Sequence, residues 1–351
     1  MRKILLFAAA LLTVSAANAK VWRINYEDNA KADFKTIKEA CNEAKVKDGD
    51  TLYMEPGYHK GNTEDNTITR PLTVLGPGYG MKRNVGNTSP VASAILTNYD
   101  GLSIDASDVN VAGLSARAIS VASGYTSNEK NNIVIERCNV SRINCSQCSN
   151  YITIKNNYVY EAISISSGNS CNYVSIIGNL IFGYVALPEY DNALNNLCQY
   201  NTIISSNSNC IYKAKNAIIK DNILINTKYP EDVFNWDETN EFRNNVLSVP
   251  SASAMEKFPN NYYVGATVEN TFVNTTEGVW YDEAMKYQLL ETSAAKNAAH
   301  AGDDCGAFGG ANPYVLFGRP QGVPYIFDVE VPAQPKDNKL HVTFKVAGQN
   351  E

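Results

Sequence analysis

Apolar residues in this chain come in short bursts on alternate positions, Ile133 and Ile135, Ile152 and Ile154, Val174 and Ile176. Alternation at period two is the mark of a strand that buries one face. The last apolar residue of a burst is followed three positions later by Asn, as in Ile154-Lys155-Asn156-Asn157-Tyr158-Val159 or Ile219-Lys220-Asp221-Asn222-Ile223-Leu224. The anchoring residues Asn157, Asn179, Asn201, Asn222 and Asn245 lie 22, 22, 21 and 23 positions apart. An earlier copy carries Cys138 in the slot, 19 before Asn157, and a fainter one, Val111 to Ala116, sits 24 before that. A second alternating stretch follows about ten residues into each copy: Ile143 and Cys145, Ile163 and Ile165, Val185 and Leu187, Cys210 and Tyr212. Units this small cannot bury their own apolar face, so they must stack. Two or three strands per unit, joined by Asn- and Ser-rich corners, predict the coils of a parallel β-helix. At such a corner Asn is expected to take the left-handed backbone conformation, and stacked amides can hydrogen-bond along the axis.

A solenoid exposes its core at both ends and needs caps. Phe34, Ile37, Ala40, Cys41 and Ala44 recur at helical spacing over residues 33–45, with Asp33 placed as N-cap. From Pro313 the pattern changes: Tyr325, Phe327, Val329 and Val331 alternate, residues 332–339 form a polar turn, and Leu340, Val342, Phe344 and Val346 alternate again. This predicts a β-hairpin, too short to stand alone and therefore expected to pack along the solenoid. The division is thus residues 1–19, 20–312 and 313–351. The first segment reads as a signal peptide, with Arg2 and Lys3 before an apolar run and Ala17-Asn18-Ala19 as a cleavage site. Export to the periplasm, cell surface or exterior follows, and no later stretch is apolar enough to span a bilayer.

A net charge of −6 without a Lys or Arg cluster argues against nucleic acid as partner. The 21 Tyr residues suit a neutral polar ligand such as a sugar, and equally suit half-buried strands. Eight Cys in an exported chain raise the question of disulfides. Cys41, Cys138, Cys145 and Cys198 occupy core-facing positions and read as small apolar fillers. Cys148 and Cys171, nine and eight residues before successive anchors, are the one pair placed to bridge adjacent coils. No zinc spacing is present, and His59, His300 and His341 lie outside the best repeats, so no metal site is expected.

The succession Phe34-x-x-Ile37-x-x-Ala40, Gly49-Asp50-Thr51, Pro56-Gly57-x-His59 and Pro71-Leu72-Thr73-Val74-Leu75-Gly76 resembles the opening of secreted proteins of the pectate-lyase-like superfamily. Ser293-Ala294-Ala295 and the run from Gly302 to Gly310 resemble their closing segment. The resemblance implies an all-β, right-handed parallel β-helix with an N-terminal capping helix, and activities on polysaccharides laid along the outside of the strands. It does not select a reaction, because the architecture hosts lyases, hydrolases, esterases and proteins without a known reaction. The acidic signature of polygalacturonases is missing, Asn201-Thr202-Ile203 lacking the acid, and the sets of pectin methylesterases and pectate lyases do not align. No cofactor is predicted; calcium is implied by fold analogy only.

Catalytic residues are therefore left unassigned, and two surfaces are candidates for binding. If Ile154, Ile176 and Ile219 point inward, the next residue of each copy points out, giving a row of Glu136, Lys155, Ile177, Gln199, Lys220 and Arg243. Lys155, Lys220 and Arg243 can hold an anionic sugar chain, with Glu136 pairing Lys155; a solvated strand face of mixed charge is the simpler reading. The second surface is made of corner aromatics near acids: Tyr184, Glu189, Tyr190 and Asp191, then Asp232, Trp236, Asp237 and Glu238, with Trp280, Tyr281 and Asp282 nearer the end. Three classes stay open: a monomeric polysaccharide binder, a lyase or glycoside hydrolase with an unfamiliar site, and a structural or adhesive surface protein.

Overall fold

The structure, a computed structural model, describes residues 19–28, 30–79, 94–96, 101–121, 129–146, 149–165, 171–206, 209–234, 237–249, 259–274, 283–318, 325–330, 334 and 339–347. Residues 1–18 of the signal segment, Cys148, Trp236, Trp280, Tyr281 and Asp282 lie outside the described residues, and with Cys148 the bridge to Cys171. The chain winds as a right-handed parallel β-helix. One wall is a ten-stranded parallel sheet running from Val21–Ile24 to Glu241–Arg243, and a second wall is a larger parallel sheet running from Gly57–His59 to Tyr262–Tyr263 in the last coil. Among the described residues no helix is long and apolar enough to cross a membrane.

Register fixes what points inward. In the ten-stranded sheet Leu52, Val74, Val111, Ile135, Ile154, Ile176, Cys198, Ile219 and Phe242 pair in one continuous row, and every one of them is buried. In the second wall Val140, Val159, Ile181, Ile203, Leu224 and Leu247 form the facing row. A slip of one residue in any coil would turn its whole apolar set outward, so this alternation specifies the stacking. Cys41, Cys138, Cys145 and Cys198 are indeed packed in the main core. One expected alternation differs: Ile211 pairs with Val185 and is buried, which turns Tyr212 outward to 47% exposure.

The anchor Asn side chains form a buried ladder. Asn179 Nδ2 donates to Asn201 Oδ1 at 2.9 Å, and the same contact repeats from Asn157 to Asn179, Asn201 to Asn222, Asn222 to Asn245 and Asn245 to Asn261 at 2.9 to 3.0 Å. Each Oδ1 also accepts the backbone N–H of the preceding anchor position, beginning with Cys138. The left-handed conformation belongs to the residue before the anchor, not to the anchor itself: Arg137, Asn156, Gly178, Tyr200, Asp221 and Asn244 have φ of 52 to 65°. The bend therefore sits one residue earlier, which leaves the anchor amide free to face inward. A second corner, ahead of each strand of the ten-stranded sheet, has its own ladder, where Asn131 Oδ1 accepts from Asn150 N and Asn150 Oδ1 from Asn172 N at 2.9 to 3.0 Å. There Asp108, Asn132, Tyr151, Tyr173, Asn195 and Asn216 take the left-handed turn.

The capping helix is shorter than its periodicity suggests, Ile37–Asn42, and Thr36 rather than Asp33 is its N-cap, accepting from Glu39 N. Asp33 is drawn off by the first strand, its Oδ2 accepting Arg23 N at 2.8 Å. Ile37, Ala40 and Cys41 face the core, while Ala44, expected on the same face, is exposed. At the other end Tyr325–Glu330 and Thr343–Ala347 pair antiparallel, the predicted hairpin, with a bulge between Ile326 and Asp328.

Candidate functional site

After the last coil the chain returns along the outside of the solenoid as a strap, residues 293–318, crossing one coil every few residues. Cys305 Sγ donates to Asn244 O at 3.2 Å, Gly306 N to Asp221 O at 3.0 Å and Ala307 N to Thr202 Oγ1 at 3.0 Å. Further on, Pro313 O accepts from Asn156 Nδ2 at 3.4 Å and Phe317 O from Tyr79 N at 2.7 Å. The strap covers the residue that follows each anchor. Tyr158, Leu180, Thr202, Ile223 and Val246 pair in an outward row, yet all are buried. Tyr158 and Leu180 join Ala307 and Tyr314 in one apolar cluster, and Ile223 and Val246 join Ala295, Ala298, Ala299 and Cys305 in another.

Where the strap leaves the corner it closes a cavity of about 360 Å³ against the ten-stranded sheet. Its polar lining is Gln199, Tyr200, His300, Asp303 and Asn312; Ile177, Ala301 and Ala311 supply apolar surface. His300 of its lining is paired with an Asp behind the wall. Asp221, fully buried, accepts from His300 N through Oδ1 at 2.9 Å and from His300 Nδ1 through Oδ2 at 2.7 Å. Gln199 Nε2 donates to the same Oδ2 at 2.9 Å. In the neutral ring, a carboxylate bonded to Nδ1 fixes the tautomer and leaves Nε2 with its lone pair. That nitrogen has no hydrogen bond among the described residues, and the ring is 39% exposed. Tyr200 packs under Gly310, its hydroxyl donating to Asp303 Oδ2 at 3.4 Å. Burial, followed by the charges of Asp221 and Asp303, pushes the Tyr200 phenol up to about 12, so it is a proton donor at neutral pH.

The outward row exists as an unbroken register: Glu136, Lys155, Ile177, Gln199, Lys220 and Arg243 are direct neighbours. Ile177 and Gln199, its middle members, form part of the cavity wall. Lys155 is bound to Glu136 at 2.9 Å and Arg243 pairs with Glu241. Lys220 has no ion pair among the described residues. The corner residues Tyr190, Asp191 and Asp237 sit ahead of the strands, at the other end from the cavity. Tyr190 Oη donates to Cys171 O at 2.5 Å, Asp191 binds Lys215 at 2.7 Å, and Asp237 Oδ1 accepts from Thr239 N and Oγ1 at 3.0 and 2.6 Å. The structure thus brings Lys155, Lys220 and Arg243 to one face and holds the corner group apart from them.

Asp221, Tyr200, His300 and Asp303 are absent from the sequence-derived candidates. The available signal was the residue after each anchor: an outward row that is apolar in nearly every copy demands a covering segment, and the Gly-rich run at 302–310 is the stretch placed to supply it. No protein-family model, curated protein or solved structure matches this chain.

Proposed function

We propose that the protein is a secreted β-helix of the pectate-lyase-like kind that binds polysaccharide along the outward row, one sugar residue or its substituent entering the cavity. The observation that carries this reading is the position of the cavity: it opens at Ile177 and Gln199, one coil beyond Lys155 and one coil before Lys220. Neighbouring coils are about 4.8 Å apart, so a chain lying along the axis meets a new side chain at each step, with a concave, partly apolar site at the centre. Lys220, free of a carboxylate partner among the described residues, is available to a ligand oxygen. Ile177→Trp fills the cavity from an outward position and leaves the core untouched. Calorimetric titration with a panel of neutral and acidic polysaccharides should show saturable binding to the wild type, weakened at least about ten-fold in the Trp variant. A wild type that binds nothing on the panel, or a Trp variant that binds as well, overturns the reading.

A further inference from the structure

We infer that His300, oriented by Asp221, is a general base that activates water to hydrolyse an O-acyl ester carried by a saccharide in the cavity. This rests on the glycan reading only for the alcohol half of the substrate. The site has the parts of an acid–base centre: a base whose far nitrogen is open, a buried carboxylate behind it and a protonated donor beside it. His300 Nε2, Asp221 and Tyr200 fill these roles in turn.

The cavity also says which chemistry it does not suit. Among the described residues no Lys or Arg lines it, while the Asp303 carboxylate does, so a uronate carboxylate would enter against like charge with no cation to neutralise it. Glycoside hydrolysis needs two carboxyl groups across one bond. Here both oxygens of Asp221 are engaged by His300 and Gln199, which leaves Asp303 alone. An uncharged acyl group fits: Ile177, Ala301 and Ala311 offer it apolar contact. In the reaction, water oxygen attacks the acyl carbon as Nε2 takes a water proton, and the carbonyl pair moves to oxygen. Tyr200, loosely held by Asp303 at 3.4 Å, is the donor available to that oxyanion. Collapse breaks the bond between acyl carbon and sugar oxygen, and the imidazolium returns the proton to the leaving oxygen. Ester and water become carboxylic acid and sugar hydroxyl, with nothing oxidised or reduced.

The test follows acetate release from O-acetylated xylan and from triacetin, an acetyl ester without sugar, beside binding of de-esterified xylan. The wild type is expected to release acetate, with kcat lowered about 10² to 10⁴-fold in His300→Gln while circular dichroism shows the wild-type fold. Asp221 is a positioning residue: Asp221→Asn should lower kcat with KM unchanged, a split that simple loosening of the strap would not give. If Asp221→Asn fails to fold, His300→Gln alone decides. No acetate from either ester, or undiminished release by His300→Gln, overturns the inference. Binding of de-esterified xylan without acetate release removes the esterase and leaves the binder. His300-dependent triacetin hydrolysis without any glycan binding supports the base and removes the glycan reading.

Discussion

One carboxamide per coil ties two backbone groups and two neighbouring amides together. Asn201 Oδ1 accepts from both the N–H and the amide of Asn179, and its Nδ2 donates to Ile176 O and Asn222 Oδ1 at 2.8 and 3.0 Å, all out of water. Truncating it orphans several buried groups at once, each costing about 1–3 kcal/mol, so Asn201→Ala should lose at least about 3 kcal/mol in urea unfolding. A loss below about 1 kcal/mol, the lower end for a single orphaned group, would mean that water enters the corner and takes over the bonds. The ladder was legible from spacing, but the residue that bends was not. In Asn156-Asn157 and Asn244-Asn245 two adjacent amides compete for the turn, and it is the first of each pair that takes it. A second residue-scale outcome concerns Glu136. Burial opposes its charge, but Lys155 and Arg137, both bonded to it, outweigh that and hold its carboxyl below the ordinary value. Its stabilisation is therefore complete above the unfolded-state pKa and is lost as pH falls through the lowered folded value. Acid unfolding of Glu136→Gln should accordingly show a shallower pH dependence than the wild type, with lower stability at neutral pH.

At the scale of elements, the strap is the piece that builds a cavity on a plain solenoid face. Gly306, at φ +85°, lies so close to the coil that an added Cβ would meet Ile223 Cδ1 at 2.6 Å and Thr202 Oγ1 at 2.7 Å. Gly306→Ala should destabilise by about 1–3 kcal/mol and lift the strap locally. Cys305 reports this directly, being buried on the inner side of the strap and bonded to Asn244 O. Alkylation followed by mass spectrometry should label Cys305 faster in the variant, while Cys198 and Cys210 inside the solenoid keep the wild-type rate. Equal protection of Cys305 in both proteins would show that the strap tolerates the methyl group. The strands, their inward faces and the outward row were readable because period two fixes them. The strap was not, because its residues show neither helical nor strand periodicity and its partner row reads simply as extra apolar content. The capping helix shows the opposite failure: apolar spacing carried it to residue 45, but the chain leaves the helix after Asn42.

On the scale of the whole molecule, each coil touches chiefly its two neighbours, so the coils add stability in sequence. The second-corner ladder keeps one sense throughout, whereas the first corner donates back in some coils and forward in others, as from Val174 N to Asn196 Oδ1 and Ala217 N to Asn240 Oδ1. At the first corner Asn150 N donates back to Asn131 Oδ1 of the coil before; at the second, Asn157 N donates forward to Asn179 Oδ1 of the coil after. At the second corner every coil must therefore wait for the next to supply its acceptor, while at the first corner Asn150 and Asn172 find theirs already waiting. For a chain emerging from its N-terminus, this makes growth vectorial: each new coil is templated by the last and finishes it. His300 arrives only after the final coil, on the segment that folds back over the finished stack, so the His–Asp pair is made last, and an unfinished molecule carries Asp221 without its imidazole partner.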